Sequence, residues 1–289
     1  METDRLHQSY RYCEWIAYHH YENFPVASLI LPKEKRSHVA AVYAFARSAD
    51  DFADEIRYQA DSLELLEAWR AALWACQNGG GVKLVSHPIF IALAHSITTC
   101  GLPVQLLDDL LTAFRMDVTK RRYENWQELL DYCRFSANPV GRLVLTIFGY
   151  QDPELHLLSD HICTGLQLAN HWQDLRIDME KDLLYIPRDL QRRFGVDEEE
   201  FRGAMQGRMS DRFRALMAEL VDRADALFKA GAALPGKVEG PLRLELKLTL
   251  LGGRAVLERI RQVDYDVFRQ RPVLSPLAKL KLLGLGLVS

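Results

Sequence analysis

Several features common in other protein classes are missing from this sequence, and each absence narrows the reading. Its five cysteines (Cys13, Cys76, Cys100, Cys133 and Cys163) are odd in number, scattered, and contain no C-x-x-C pair. That excludes a disulfide framework and a cysteine zinc site, and it suits a reducing compartment. No window approaches the ~18 uninterrupted apolar residues of a membrane-spanning helix. The start, METDRLHQSYRYCEW, has no apolar stretch of signal-peptide type, so a cytoplasmic protein is expected. Basic and acidic residues nearly balance, with Lys+Arg 36 against Asp+Glu 39 and a net charge of −3. No basic field advertises a nucleic-acid partner. No G-x-G-x-x-G follows a strand-like run, so no built-in nucleotide cofactor is expected. Solenoid-length repeats and long low-complexity linkers are missing too.

What is present is helical periodicity, with no alternating window long enough for a sheet. SHVAAVYAFARSADDFADEI carries Val39, Val42, Tyr43, Ala46, Ala49 and Ala53 at spacings of three and four. DSLELLEAWRAALWACQ is amphipathic and stops at Gly79-Gly80-Gly81, a strong breaker. Further helices fit residues 88–100, 103–116, 125–135, 140–149, 155–182, 210–231 and 240–263. Short turns join them, and Arg271-Pro272 through Pro276 marks a late bend. The sequence predicts one all-α domain over residues 1–289, a single bundle of roughly ten helices. The apolar end, SPLAKLKLLGLGLVS, is too short to span a bilayer. It either docks on the protein's own core or touches a membrane surface peripherally, with Lys279 and Lys281 snorkelling.

Two acidic stretches interrupt apolar helix faces. RSADDFADE places Asp50 and Asp54 four apart beside Asp51 and Glu55, although like charges at this spacing destabilise a helix. LQLANHWQDLRIDMEKD places Asn170, Asp174 and Asp178 at i, i+4 and i+8. On a continuous helix these three drift only about 40° per step and form a stripe about 12 Å long. One motif alone reads as a solvated acidic face. Two such stripes, without lysines four residues away, point to hard divalent cations. Mg²⁺ prefers oxygen and completes its shell with water and substrate phosphates, so a diphosphate would supply the missing ligands. His19-His20 and His171 invite a metal reading. His171 points about 100° off the stripe, which makes it structural.

These residues resemble the squalene/phytoene synthases, all-α enzymes of the isoprenoid synthase fold, over nearly the whole chain. YAFARSADDFADE is similar to the family's first aspartate-rich motif and LQLANHWQDLRIDMEKDLLYIP to its second. RMDVTKRRYENWQELLDYC resembles the middle signature, and ERIRQVDYDVF the last long helix and its turn. ENFPVASLILP and SANPVGRL resemble the branch associated with bacterial hopanoid gene clusters. The resemblance implies a helical bundle around a central cavity. It further implies a prenyl diphosphate substrate, with hydroxysqualene formed from presqualene diphosphate, and neighbouring enzymes of the squalene pathway as candidate partners. Carried over by position, Asp50, Asp54, Asn170 and Asp174 would ligate Mg²⁺, with Asp178 in support, as a cluster of roughly three ions with the diphosphate. Arg47 would face the diphosphate, its plainer alternative being an ion pair with Asp51. Tyr43 becomes a pocket residue, Phe24, Val26 and Ser28 line the mouth, and Gln167 sits beside the second metal group. Tyr43, Phe24 and Phe135 would stabilise a carbocation. Asn138 either positions a water or caps the helix that starts at Pro139.

The chain departs from the family pattern at Gln173, Glu22 and Gly253, where an arginine, a lysine and a tyrosine are common, and in SANPVG. Losing two cations fits a substrate with one diphosphate. Three alternatives remain. Two farnesyl diphosphates could condense head-to-head to squalene, presqualene diphosphate or a carotenoid precursor. The protein could be a non-catalytic helical partner, which has no need of both stripes. A head-to-tail prenyltransferase would carry a second D-D-x-x-D, which NHWQD is not.

Overall fold

Every regular element among the described residues is a helix. The computed structural model describes residues 2–19, 30–77, 86–269 and 271–273. Glu22, Phe24, Val26, Ser28, the Gly79-Gly80-Gly81 stop and the tail with Lys279 and Lys281 lie outside them. In chain order the α-helices are α1 (Glu2–His19), α2 (Lys33–Asp54), α3 (Ser62–Gln77), α4 (Pro88–Cys100), α5 (Val104–Thr119), α6 (Trp126–Ser136) and α7 (Asn138–Ile147). Then come α8 (Pro153–Gln173), α9 (Leu175–Glu180), α10 (Arg188–Phe194), α11 (Glu198–Met205), α12 (Asp211–Gly231) and α13 (Gly240–Gln262). An isolated parallel bridge, Arg122 with Leu184, is the one β-type pairing among the described residues. The all-α expectation holds. Helices α10 and α11 escape the periodicity because two turns are too short to show it. Their punctuation was in the sequence, however: Gly195 ends α10 at φ 65°, and Asp197 caps α11 by accepting from the amides of Glu199 and Glu200.

The chain divides into two compact units, residues 1–119 with 139–156, and residues 120–138 with 157–289. In the first unit α2 packs against α1, α3, α4 and α5. Alanine makes that possible: Ala40, Ala41, Ala44 and Ala49 are fully buried and let the neighbouring axes come close. Phe45 fills the remaining space, stacking on Trp69 and meeting Phe90 edge-on. The helix that carries most of RSADDFADE is thus packed on four neighbouring helices, a firm base for its polar face.

A polar cluster ties α1, α2 and α4 together. The Tyr10 hydroxyl lies 2.8 Å from His95 Nδ1, 3.1 Å from His38 Nδ1 and 3.0 Å from Ser96 Oγ. Ser96 donates its proton to the Ala92 carbonyl, so its oxygen accepts from His38 Nδ1 at 2.8 Å. Burial holds His38 below its ordinary 6.5, and His95 and Lys35 push the same way while Glu34 opposes them.

In the second unit α12 packs on α13 and α10. The Phe228 ring occupies space that two glycines leave open. A Cβ on Gly253 would stand 2.5 Å from Phe228 and 2.8 Å from Leu166, and one on Gly165 would stand 3.1 Å from Phe228. That explains Gly253 physically: no side chain fits while Phe228 holds this position. The extended residues 121–124 accept from the amides of Leu184, Arg188 and Asp189, fastening the chain after α9.

Two outcomes follow. Because the unfolded chain takes up the proton that folded His38 resists, its stability contribution is complete above 6.5 and is lost as pH falls below it. Urea midpoints should drop through that window, and less steeply in His38→Gln. Gly253→Ala should cost about 1–3 kcal/mol in chemical denaturation, and adding Phe228→Leu should return part of it.

Candidate functional site

On α2, Tyr43, Arg47, Asp50 and Asp54 follow one another at three- and four-residue steps. Tyr43 packs against the core of the first unit. Arg47 spans two carboxylates, reaching Asp50 Oδ2 at 3.0 Å and Asp51 Oδ1 at 2.6 Å. The ion pair with Asp51 is therefore real, and Arg47 contacts Asp50 as well. Asp51 is the more enclosed partner, 15% exposed against 35% for Asp50. It anchors the guanidinium, while Asp50 keeps more of its carboxylate outward. Asp54 sits exposed in the last turn. Glu55 has left the helix as its C-cap and pairs with Arg57. Pairs this exposed contribute about 0–1 kcal/mol, so their consequence is orientation more than stability.

The second motif corrects the sequence reading in one respect. Residues 155–182 do not form one helix: α8 stops at Gln173 and α9 starts at Leu175. Asp174 is the break, at φ −101° and ψ 10°. Helical hydrogen bonds still cross it, from the Asp174 amide to Asn170 O at 2.8 Å and from the Asp178 amide to Asp174 O at 3.0 Å. Asn170, Asp174 and Asp178 remain consecutive rungs, but the stripe bends at its middle member. An ideal-helix projection misplaces Asp178, because ψ here is roughly 50° from the helical value.

The residue that spacing could not find is Arg271. Its Nε donates to Asp174 Oδ1 at 2.5 Å and its Nη2 to Oδ2 at 2.9 Å, a two-point fork. The contact holds the Arg271 guanidinium above its ordinary range. Two more contacts fasten the same stretch. The Gln173 amide donates to the Pro272 carbonyl, and Arg176 Nη1 to the Phe268 carbonyl at 2.8 Å. The turn after α13 is thereby laced onto the α8–α9 break. The late bend was visible in sequence, but its partner 97 residues earlier was not.

His171 is buried, its ring stacked on Tyr185 with centroids 3.6 Å apart. Gln167 Nε2 lies 3.2 Å from His171 Nε2. Asn138 is the first residue of α7, not a cap before it, and its Oδ1 accepts from the Thr164 hydroxyl at 2.8 Å. Arg134 lies 4.2 Å over the Phe135 ring. A fixed cation already covers that face, which makes Phe135 a poor stabiliser of a second one.

The donor sets are oxygen throughout, which suits Mg²⁺ rather than a soft metal. Asp50 and Asp174 each already bind a guanidinium, so both carboxylates are placed to meet positive charge. Among the described residues no three His, Cys, Asp or Glu side chains form a group able to hold a metal ion. A Mg²⁺ that keeps water and takes diphosphate oxygens needs only one or two carboxylates from each motif. The residues fit such a group. Among the described residues no helix is long and apolar enough to cross a membrane.

Comparison with known proteins identifies the family. The chain is 37% identical over 276 residues to a hydroxysqualene synthase of Sinorhizobium fredii, covering 93% of this chain and 89% of that one. It is 41% identical to the crystal structure of squalene synthase HpnC from Alicyclobacillus acidocaldarius, with TM-score 0.83, covering 90% of this chain and 95% of that one. A dehydrosqualene synthase in complex with ligand, 23% identical and covering 100% of this chain and 98% of that one, shares the fold at TM-score 0.87. The family model for squalene/phytoene synthase matches residues 17–278, and the chain belongs to that family.

Proposed function

We propose that this enzyme ionises presqualene diphosphate in a Mg²⁺-dependent reaction and captures water to give hydroxysqualene and diphosphate, in squalene and hopanoid biosynthesis. The observation that carries this reading is the 37% identity to a hydroxysqualene synthase along 93% of the chain. Gln173 supports it. Buried and bound to the Pro272 carbonyl, it offers no cation for a second diphosphate.

Breaking the carbon–oxygen bond sends the electron pair out with the diphosphate and leaves a cyclopropylcarbinyl cation. The cation rearranges with ring opening, one water adds, and a proton is lost to solvent. The barrier lies in leaving-group charge more than in proton transfer. Asp50, Asp54, Asn170 and Asp174, with Asp178, would hold Mg²⁺, which when bound supplies Lewis-acid neutralisation of that charge. Arg47, steadied by Asp51, would turn from Asp50 toward diphosphate oxygens at the first motif. Arg271, held on Asp174, would present a fork at the second. Tyr43 with Phe24 would face the cation at ~2 kcal/mol when desolvated. Gln167 and Asn138 would order the polar end of the substrate. We read the chain as one synthase domain, in line with the family model's match to residues 17–278. Peripheral contact with the cytoplasmic face of a membrane would suit release of so apolar a product.

Purified protein with Mg²⁺ and presqualene diphosphate should release hydroxysqualene without NADPH. Squalene from farnesyl diphosphate plus NADPH would sink this reading and favour head-to-head condensation. Asp50→Asn and Asp174→Asn should each lower kcat by about 10²–10³-fold with unchanged far-UV circular dichroism. Near-normal rates would remove the metal assignment.

A further inference from the structure

Hydroxyls on the helices of this protein have a usual partner, the carbonyl four residues back. Ser9, Ser62, Ser96 and Thr146 each donate to it, at 2.8 or 2.9 Å. Ser136, the last residue of α6, does not. Its Oγ is buried and has no hydrogen-bond partner among the described residues. Pro139, three residues on, carries no N–H that the hydroxyl could cap. Its chain neighbours Ala137 and Pro139, and Tyr132 one turn back, are buried as well. An isolated buried hydroxyl is costly, and it persists where a water or a ligand completes it.

SANPVG, where the chain departs from the family pattern, contains both Ser136 and Asn138. Asn138 Oδ1 accepts from the Thr164 hydroxyl of α8 at 2.8 Å. That bond pins the α6–α7 junction to α8 and leaves the Asn138 amide nitrogen to donate. Gln167 and Asn170 follow Thr164 at steps of three, so the second motif begins about 9 Å further along the helix axis. That span is of the same order as the one from a diphosphate held there to the carbons that carry the charge once it has left.

We propose that Ser136 is a positioning residue that holds the water added to the cation, and so favours the alcohol over a hydrocarbon product. The inference rests on the reaction proposed above. The water donates one O–H to Ser136 Oγ and accepts from one N–H of the Asn138 amide, which leaves its second lone pair for the cation. That pair forms the new carbon–oxygen bond, and the oxonium proton passes to solvent. Where no water is held, the cation instead loses a proton from a neighbouring carbon. It then ends as a hydrocarbon with one more double bond than the alcohol has.

The purified wild-type protein, with Mg²⁺ and presqualene diphosphate in isotopically labelled water, should give hydroxysqualene that carries the label in a single configuration at the carbinol carbon. Ser136→Ala should lower the ratio of hydroxysqualene to hydrocarbon about tenfold, and its hydroxysqualene should lose enantiomeric excess. Ser136→Thr, which keeps a hydroxyl, should hold both readouts near wild type. The ratio is read within one reaction mixture, so a partial loss of folded protein does not move it. Urea denaturation supplies a separate arm. Removing an unpartnered hydroxyl should leave the Ser136→Ala midpoint unchanged or raise it. A lowered midpoint assigns the hydroxyl to the fold and overturns the proposal. An unchanged product ratio and enantiomeric excess in Ser136→Ala, beside hydroxysqualene from the wild type, overturn this proposal alone. No hydroxysqualene from the wild type overturns the assigned reaction and this proposal together.

Discussion

Carboxylates gathered on a helix repel one another, and arginine lets both acidic motifs of this protein hold their shape. Arg47 lies across Asp50 and Asp51, and Arg271 forks onto Asp174. A guanidinium is suited to this role because it is always charged and its donors have fixed geometry. Each contact does two things. It offsets repulsion while the carboxylates face solvent, and it fixes the direction of a cation beside each motif. Much around the motifs follows from keeping these forks in place. The alanine-lined inner face of α2 fixes the first, and the turn after α13 fixes the second.

That turn also changes the meaning of two sequence departures. Gln173 and Gly253 first read as losses relative to a family pattern. In the structure each has a local partner that explains it. Gln173 holds the Pro272 carbonyl, and so helps deliver Arg271. Gly253 makes room for Phe228, which fills the gap between α8, α12 and α13. Restoring an arginine or tyrosine at these positions would therefore disturb packing or the laced turn before it added any function.

Local features were legible in the sequence; features made by distant pairs were not. Helix α4 begins and ends where predicted, because Pro88 at its start and Gly101 in the left-handed region at its end are strong punctuation. The ends of α3, α6, α12 and α13 fall within a residue or two of expectation. The break at Asp174 left no mark. Neither glycine nor proline is present, and the backbone keeps its helical hydrogen bonds through it. Among site residues, the i,i+4 pairs were readable from spacing and the Arg47–Asp51 contact from i,i+4 geometry. Arg271 was not, because nothing in a local window relates it to Asp174. Nor was the stack of His171 on Tyr185, which depends on the fold returning after α9.

The two forks differ in their timing during synthesis. Arg47 is made three residues before Asp50, so the first motif has its counter-charge as soon as a turn of helix forms. Asp174 precedes Arg271 by 97 residues. At translation rates of about 5–20 residues per second, its carboxylate waits roughly 5–20 s for its partner to be made. Through that interval Asp174 lacks the guanidinium fork that later holds it. Its final geometry is among the last features of the protein that can form.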